Sequence, residues 1–381
     1  MFERIISFIK ELYGNKDFVP LHEPRFVGNE KAYVDRCIES TFVSSVGEFV
    51  TRFEQDIANY TGSKYAVATS NGTSALHLSL LLAGVQPDTE VLTQPLTFIA
   101  TINAIRYCGA HPVFLDIDKD TLGLSPEKLE HFLRTQTHQK ADGTIINKNT
   151  QRKITACVPM HTFGHPCRID EIVQVCNEFG LPVVEDAAES MGSYYKDRHT
   201  GTFALLGVLS FNGNKIITTG GGGMILTYDE ALARKAKHLS TQAKVPHPWE
   251  YVHDAVGFNY RMPNLNAALG CAQLETLDRF LESKREIALQ YRSFFKDFSQ
   301  LRFVEEPLQA RSNYWLNAII FEKKEDRDKF LELSNQTGVQ TRPAWRLINE
   351  LEMYREAFSA DLTNAQNIAP RLVNLPSSAI V

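Results

Sequence analysis

Short runs rich in apolar and β-branched residues alternate with helical stretches between residues 60 and 230. KYAVATS leads into GTSALHLSLLLAGV and EVLTQP leads into TFIATINAIRYCG, and the runs HPVFLDI, ITACVPM and LPVVEDA follow. Strands separated by helices form βαβ units, so the pattern predicts an α/β fold with a mostly parallel central sheet flanked by helices. In such sheets ligands bind beyond the carboxyl ends of the strands. The candidate site residues therefore lie at 71–74, 95–98, 161–164 and 185–190.

The character of the sequence changes beyond about residue 260. NYRMPNLNAALGCAQLETLDRFLESKREIALQYRSFF predicts one long amphipathic helix, and the segments after it predict a small α+β unit. We expect a large domain over residues 1–280 and a small C-terminal domain over residues 281–381. The N-terminal stretch MFERIISFIKELYG predicts a helix that docks on the large domain or on a partner subunit.

Composition and charge exclude several classes of protein. The chain has 381 residues, 43% of them hydrophobic and 22% charged, and a net charge of −5, which argues against nucleic acid or an anionic membrane as main partner. No apolar run approaches the roughly 20 residues of a membrane span, and the N-terminus does not resemble a signal peptide. The six cysteines are scattered without a CxxC pair, so we expect a cytoplasmic protein.

One lysine stands in an unusual context. Lys215 lies between a serine–aromatic pair and four glycines in LSFNGNKIITTGGGG. A P-loop would place its glycines before the lysine and a serine or threonine directly after it. The order here is reversed, so the glycines are not a P-loop and the lysine needs another function.

A second feature is a possible phosphate site. In SNGTSALHL, Gly72, Thr73 and Ser74 open a helix directly after a strand. Free backbone N–H groups and hydroxyls at a helix N-terminus suit a phosphate. Thr73 or Ser74 could instead be the N-cap of the helix.

Two more side chains could complete a site for a flat, charged ligand. Asp186 ends a strand in VVEDAAES and could pair with a cationic ring nitrogen, although Asp116 and Asp118 in FLDID end another strand. Phe98 in QPLTFIATINAI could stack on a ring or could belong to the core. A phosphate site, an acid, a stacking aromatic and a lysine together are the groups that hold pyridoxal phosphate.

Five motifs in the same order resemble the DegT/DnrJ/StrS-type sugar aminotransferases: SNGTSAL, TFIAT, EDAAES, SFNGNKIITTGGGG and NYRMPNLNAALGCAQL. The resemblance runs from about residue 20 to the end. PLHEPRFVGNEK, STFVSSVGEFV and EDAAES are most similar to the legionaminic-acid type. The resemblance implies a fold type I transferase that depends on pyridoxal 5′-phosphate, acts on nucleotide-linked keto sugars, and forms a homodimer with shared active sites.

The resemblance also implies roles for the matching residues. Lys215 would bond to the cofactor aldehyde, Asp186 would pair with the pyridine nitrogen, and Phe98 would stack on the ring. The residues around the phosphate would be Gly72, Thr73, Ser74 and Ser210, with Asn259 from the partner subunit. The candidates for substrate binding are His161, Arg261 and Arg342, and no metal site is expected.

Two residues depart from the family pattern. Gly221 stands where many relatives carry glutamate, and we expect the glycines to let the backbone turn tightly beneath the cofactor. Glu189 stands where many relatives carry glutamine or histidine near the phenolic oxygen of the cofactor. An ionised carboxylate would be repelled there. We therefore expect Glu189 to be protonated or turned towards the substrate or a backbone donor.

The predicted reaction is a two-stage amino transfer from L-glutamate, in which Lys215 moves the proton. The expected acceptor is a UDP- or GDP-linked 4-keto-6-deoxy-N-acetylhexosamine, aminated at carbon 4 for legionaminic acid or related surface glycans. The alternatives are a 3-keto aminotransferase, a dehydratase on the same fold, in which histidine usually replaces the lysine, and a non-enzymatic regulator that binds the cofactor. A nicotinamide enzyme would need a GxGxxG motif that opens a helix after a strand, and the chain has none.

Overall fold

The computed structural model describes residues 1–381. The helices are α1 (Phe2–Leu12), α2 (Glu30–Ser40), α3 (Glu48–Thr61), α4 (Gly72–Leu82), α5 (Ile99–Tyr107), α6 (Pro126–Gln136), α7 (Ile169–Glu178), α8 (Glu230–Ser240), α9 (Asn264–Glu275), α10 (Leu277–Phe295), α11 (Lys324–Gln336) and α12 (Thr363–Ile368). None of them has both the length and the apolar character of a membrane span.

The strands are short and numerous. They are β1 (Tyr65–Thr69), β2 (Glu90–Thr93), β3 (His111–Phe114), β4 (Thr137–Gln139), β5 (Ile145–Asn147), β6 (Lys153–Val158), β7 (Val184–Asp186), β8 (Tyr194–Tyr195), β9 (Arg198–His199), β10 (Leu206–Ser210), β11 (Gly223–Thr227), β12 (Lys244–Val245), β13 (Val252–His253), β14 (Leu301–Phe303), β15 (Ala310–Arg311), β16 (Asn317–Phe321), β17 (Arg342–Pro343) and β18 (Leu372–Leu375).

The central sheet is mostly parallel, as predicted. Its strands lie in the order β3-β2-β6-β7-β10-β11-β1, with β6 and β7 joined by the bridges Cys157–Val183 and Met160–Asp186. Neighbouring strands from β3 to β10 are parallel, and only β11 runs antiparallel to its neighbours β10 and β1. The predicted α/β class is confirmed.

Both faces of this sheet are covered by helices. Val67, Val208 and Ile225 point into a core cluster with residues of α4, α5 and α8. Their neighbours in sequence, such as Ala68 and Leu209, point into a second cluster with residues of α3 and α9. Because successive strand residues face opposite sides, a strand buried on both faces has no polar alternation. This explains the continuous apolar runs in the sequence.

The long helix predicted after residue 260 is two helices. α9 ends at Glu275 and α10 begins at Leu277, with Thr276 between them at φ −109° and ψ 0°. The prediction of one helix was wrong because the apolar stripe continues across the break, and no glycine or proline marks it. The start of α10 packs in the core beside the central sheet through Phe280 and Leu281.

The C-terminal unit contains the antiparallel sheet β14-β16-β18-β17. The later turns of α10 and helix α11 pack against it through Tyr291 and Phe330. The N-terminal helix α1 buries Ile5, Ile6 and Ile9 in this same cluster. The expectation that α1 docks on the large domain or on a partner was therefore wrong, since its apolar stripe is covered by the C-terminal unit of its own chain. The domain boundary at residue 280 stays a prediction.

Candidate active site

The predicted site residues gather at one edge of the central sheet. Strands β1, β7 and β10 run in the same direction, so their last residues Thr69, Asp186 and Ser210 lie at the same edge. Strand β11 begins there, and its first residue Gly223 pairs with both Thr69 and Ser210. The topology thus brings together the phosphate site, the acid and the loop that carries Lys215.

The phosphate site forms where α4 begins. Its N-cap is Asn71, whose Oδ1 accepts the N–H of Ser74 at 2.8 Å, so neither Thr73 nor Ser74 is the cap. Gly72 lies against Ser210, since a Cβ on Gly72 would stand 2.9 Å from the Ser210 Cβ. The first N–H groups of a helix have no acceptor within it. These donors, together with the hydroxyls of Thr73, Ser74 and Ser210, fit the phosphate of pyridoxal phosphate.

The glycine run allows two backbone segments to approach closely. A Cβ on Gly223 would lie 2.5 Å from the carbonyl carbon of Asn71 and 2.7 Å from the nitrogen of Gly72. A Cβ on Gly221 would meet nothing nearer than the Ser70 carbonyl oxygen at 3.7 Å. Gly223 is therefore required for β11 to start beneath α4, whereas the space at Gly221 tolerates a side chain.

We expect Gly223→Ala to destabilise the protein by about 1–3 kcal/mol, because the new methyl group must displace backbone rather than a flexible side chain. Cofactor affinity should also fall, since the displaced backbone carries the phosphate site. Gly221→Ala is the matched control and should change both quantities little. Denaturant unfolding and cofactor titration of both variants measure the difference, and equal effects of the two substitutions would contradict this explanation of the glycines.

Asp186 is buried at the end of β7. Its Oδ2 accepts the hydroxyl of Thr101 at 2.6 Å, and its Oδ1 accepts the N–H of Ala188 at 3.1 Å. Burial raises the pKa of Asp186 above its ordinary value, although the two hydrogen bonds and the charge of Lys215 oppose this shift. A fixed, buried carboxylate of this kind is suited to a cationic partner, such as the protonated ring nitrogen of the cofactor.

The two rival aspartates have structural partners. Asp116 accepts the N–H of Asn364 at 2.8 Å and so caps α12. Asp118 pairs with Arg168 at 2.7 Å. Both follow β3 at the far edge of the sheet, whereas Asp186 ends β7 next to β10, so the structure favours Asp186.

Phe98 is the N-cap residue of α5 and is 49% exposed. The nearest ring is that of Trp345, at 6.2 Å between centroids and an angle of 59°. Phe98 therefore lacks a parallel stacking partner, and the alternative that it belongs to the core was wrong. It lies one turn before Thr101, which holds Asp186, so the ring and the acid are fixed by the same helix.

Lys215 lies beside two buried side chains. Its Nζ is 3.4 Å from Oε1 of Glu189 and 4.0 Å from the ring centroid of Trp315. The indole N–H of Trp315 donates to the carbonyl of Asn214 at 2.7 Å. Sequence reasoning missed Trp315 and its neighbour Asn313, because SNYW stands about 100 residues after the lysine motif and has no recognisable spacing to it.

Glu189 is anchored on the side away from the lysine. Its Oε2 accepts the N–H of Phe163 at 2.9 Å, and its backbone carbonyl accepts Nδ2 of Asn313 at 2.9 Å. Burial raises the pKa of Glu189 to about 7, against the opposing effect of Lys215. The side chain thus faces a backbone donor, which is one of the arrangements expected for it, and its protonation stays a prediction.

Glu189→Gln should leave cofactor affinity within about threefold of wild type, because glutamine keeps an acceptor for the N–H of Phe163. In the wild type, a pKa raised to about 7 means that the folded chain keeps a proton which the unfolded chain loses near pH 4.5. Wild-type stability therefore falls as pH rises through this window. Relative to wild type, the cofactor-free variant should gain about 3 kcal/mol between about pH 4.5 and about pH 7.

Urea denaturation at about pH 5 and about pH 8 measures this gain in the cofactor-free protein. A large loss of cofactor affinity in Glu189→Gln would show that the negative charge itself is required.

His161 is fully buried and does not reach the substrate side. Its Nε2 lies 3.1 Å from Oε2 of Glu185, and its Nδ1 accepts the N–H of Cys167 at 3.2 Å. Glu185 also accepts backbone N–H groups of Gly201 and Phe203. The expectation that His161 binds substrate was wrong, since both ring nitrogens hold the loops around Glu185.

Arg261 is also tied within the protein. It is buried and donates to the carboxylate of Glu54 and, at 3.0 Å, to the carbonyl of Ala68. These contacts involve only one of its terminal nitrogens, and Arg261 also lines a cavity together with Asn259. Its role in substrate binding stays a prediction. Asn259 and Arg342 are exposed, and their roles stay predictions.

Residues 24–380 match the DegT/DnrJ/EryC1/StrS aminotransferase family. The chain belongs to this family. The aminotransferase is 37% identical over 360 residues to GDP-perosamine synthase of Escherichia coli O157:H7, covering 94% of this chain and 93% of the relative. It is 36% identical over 361 residues to GDP-perosamine synthase of Caulobacter vibrioides, covering 93% and 92%.

The solved structure of the aminotransferase TlmJ from Streptoalloteichus hindustanus has a TM-score of 0.85 at 28% identity, covering 94% of this chain and 93% of TlmJ. Three predictions are thereby confirmed: the chain has a fold type I architecture, is an enzyme, and takes pyridoxal phosphate as its cofactor. The aminotransferase acts on nucleotide sugars. The finer resemblance to the legionaminic-acid type stays a prediction, since the relatives compared above are named for GDP-perosamine.

Proposed function

We propose that the aminotransferase moves the amino group of L-glutamate to carbon 4 of a GDP- or UDP-linked 4-keto-6-deoxy sugar. The observation that carries amino transfer is Lys215, held beside Glu189 at the sheet edge where Asp186 and the phosphate site meet. Two relatives are named for GDP-perosamine, a 4-amino sugar, which supports carbon 4 and favours GDP. An N-acetyl group at carbon 2, a product for legionaminic acid and a cytoplasmic location remain predictions.

The residues around the cofactor have distinct tasks. When bound, pyridoxal phosphate supplies an electron sink for the charge left when a proton leaves the donor's α-carbon. Asp186, fixed by Thr101, would hold the proton of the ring nitrogen, and Phe98 offers a ring face for stacking. Thr73 and Ser210 would hold the phosphate at the start of α4.

Lys215 is the group that would carry the proton. In each of the two stages its Nζ would take a proton from one carbon as a general base and deliver it to another as a general acid. In the first stage the proton would leave the α-carbon of glutamate, and in the second, where the same steps run in reverse, it would be delivered to carbon 4 of the sugar. Oε1 of Glu189 lies 3.4 Å from Lys215 Nζ, and the ring centroid of Trp315 lies 4.0 Å from it. They would keep the lysine in the site between the two transfers.

A shared active site is supported by the surface near Asn259. A cavity of about 760 Å³ is lined by Val46, Lys244, Asn259 and other residues, beside the phosphate site. Near it Trp249 is 78% exposed and Tyr251 is 83% exposed. Large exposed aromatic side chains are typical of surfaces that bind another protein. We propose that a second copy covers this surface and that Asn259 serves the partner's phosphate site.

Mixing two inactive variants tests the shared site. A Lys215→Ala chain combined with an Asn259→Ala chain should restore activity, because a mixed dimer contains one site with neither defect. Random exchange gives half mixed dimers, each with one of two sites intact, so about a quarter of wild-type activity is expected. The measurement is turnover after subunit exchange has been verified by mass spectrometry of differently tagged chains. No recovery would count against the composite site.

The acceptor is tested by offering 4-keto and 3-keto sugars, each linked to GDP and to UDP, with glutamate. NMR of the products should show amination of the 4-keto compounds at carbon 4. Amination of only the 3-keto compounds would overturn the regiochemistry while leaving amino transfer intact. A product that had lost water without gaining nitrogen would instead support the dehydratase, which the lysine at position 215 disfavours.

A further inference from the structure

Lys284 in α10 is a second lysine whose environment needs explanation, because it is only 1% exposed. Its Nζ donates to the carbonyl oxygen of Trp315 at 3.2 Å and to that of Ser377. Burial, without a carboxylate partner, lowers the pKa of Lys284 to about 7. An isolated ammonium in the interior is costly, and an apolar side chain would avoid that cost.

The two carbonyl groups to which Lys284 donates explain why a lysine stands at this position. Two backbone carbonyls from separate segments, one before β16 and one after β18, point at the same place in the interior. A buried carbonyl without a donor costs free energy. An ammonium carries three donors at the end of a long flexible stem, so one side chain can satisfy both carbonyls.

One of those carbonyls belongs to the residue that contacts Lys215. The N–H of Trp315 donates to Oδ1 of Asn313 at 2.8 Å, its indole N–H donates to Asn214 at 2.7 Å, and its ring lies 4.0 Å from Lys215 Nζ. Lys284 is the remaining hydrogen-bond partner of Trp315, on its backbone carbonyl. The two lysines therefore hold the same tryptophan, one by its ring and one by its backbone.

We propose that Lys284 is a positioning residue for amino transfer: it fixes the backbone of Trp315 so that the indole ring holds Lys215 Nζ in the reacting position. The inference rests on the proposed function in one respect, that Lys215 is the reacting lysine. Loss of the Lys284 donors frees the Trp315 carbonyl to move, and the ring moves with it. Small displacements of a reacting group can slow a reaction about 100-fold.

If Lys284 had only a structural role, its loss would lower stability without affecting Lys215. Tyr291 provides a matched control for that case. Tyr291 lies two turns further along α10, is also buried, and donates from its hydroxyl to the Pro376 carbonyl at 3.0 Å. It anchors the same C-terminal segment as Lys284, next to Ser377. Its hydrogen bond ends on that segment and does not involve Trp315. Tyr291→Phe should therefore reproduce the structural effect of a lost anchor without the effect on Lys215.

The test compares Lys284→Met, Lys284→Gln and Tyr291→Phe with wild type as the full-length holoenzyme. The absorbance change of the bound cofactor with glutamate gives kcat and KM, and thermal unfolding gives the stability. For Lys284→Met we expect kcat to fall at least about tenfold with KM within about threefold, as for a group that acts in the reaction step. Lys284→Gln, which keeps N–H donors, should recover part of this loss. Tyr291→Phe should lower the thermal midpoint and keep kcat within about twofold.

A second measurement does not depend on the reaction. In cofactor-free protein, the tryptophan emission of Lys284→Met should shift, because the ring of Trp315 leaves the Lys215 ammonium, while Tyr291→Phe should keep the wild-type spectrum. If both kcat and emission of Lys284→Met match wild type, the inference is overturned. Lys284→Gln decides the question if Lys284→Met does not fold. If wild type itself fails to react with glutamate, the proposed function fails and the emission still decides the positioning inference.

Discussion

Replacing Lys215 with alanine should reduce amino transfer at least about 100-fold, because general acid–base catalysis contributes effects of that size or larger. Alanine leaves no amine at position 215, and the neighbouring carboxylate Glu189 is fixed by the N–H of Phe163 through its Oε2. Part of the cofactor affinity should remain, because Asp186 and the phosphate site are untouched. The glutamate-dependent absorbance change of the bound cofactor measures the loss, and equilibrium dialysis measures the retained affinity.

The matched control is Lys196→Ala. Lys196 pairs with Asp170 at 2.6 Å on the protein surface and lies over the ring of Tyr195, so its loss removes an ammonium and surface contacts. Its turnover should match wild type. If Lys215→Ala keeps more than a few per cent of the wild-type rate, the reacting lysine has been misassigned.

The candidate residues that the structure brings to one edge of the sheet share one property: each follows a strand or starts a helix. Ser74, Asp186 and Ser210 lie within a few residues of strand ends, and parallel strands bring their carboxyl ends to one edge. The predicted strand ends therefore indicate approximately where these residues lie in the fold. The sequence alone could not choose Asp186 over Asp116, because that choice depends on which carboxylate receives backbone donors from α12.

The residues that sequence reasoning missed come from the C-terminal unit. Trp315 contacts Lys215, and Lys284 contacts Trp315, through the packing of α10 and β16 and not through any local pattern. The same physical limit explains one wrong assignment. His161 is of a residue type that binds anionic groups, but its ring contacts Glu185, a buried carboxylate from another segment of the chain. A sequence shows the chemical type of a side chain and leaves its partner undetermined.

The wrong docking of α1 has a similar origin. Its apolar stripe shows that one face is buried, and the burial of Ile5 and Ile9 bears this out. The spacing of apolar residues along a helix does not indicate which surface of the protein covers them. That surface is formed by the C-terminal unit, which α1 joins from the opposite end of the chain.

Asp186→Asn should also reduce amino transfer at least about 100-fold, while leaving the fold intact. The amide matches the carboxylate in shape and can still bond to Thr101 and Ala188, so the loop geometry is kept. It lacks the negative charge that holds the proton of the ring nitrogen, and the electron sink is then weaker. Single-turnover reaction with glutamate, followed by absorbance, measures the loss.

The stability of Asp186→Asn should not fall with its rate, and this difference separates an effect on catalysis from an effect on folding. Because burial raises the pKa of Asp186, the ionised carboxylate costs folding free energy at neutral pH, and the cofactor-free Asn variant should be at least as stable as wild type. This advantage should vanish as pH falls below the unfolded pKa of about 3.9, where the aspartate is protonated in both states. Asp118→Asn, at another strand end but paired with Arg168, should keep the rate within about twofold. A slow Asp186→Asn that is also strongly destabilised at neutral pH would mean that the carboxylate supports the fold and not the ring nitrogen.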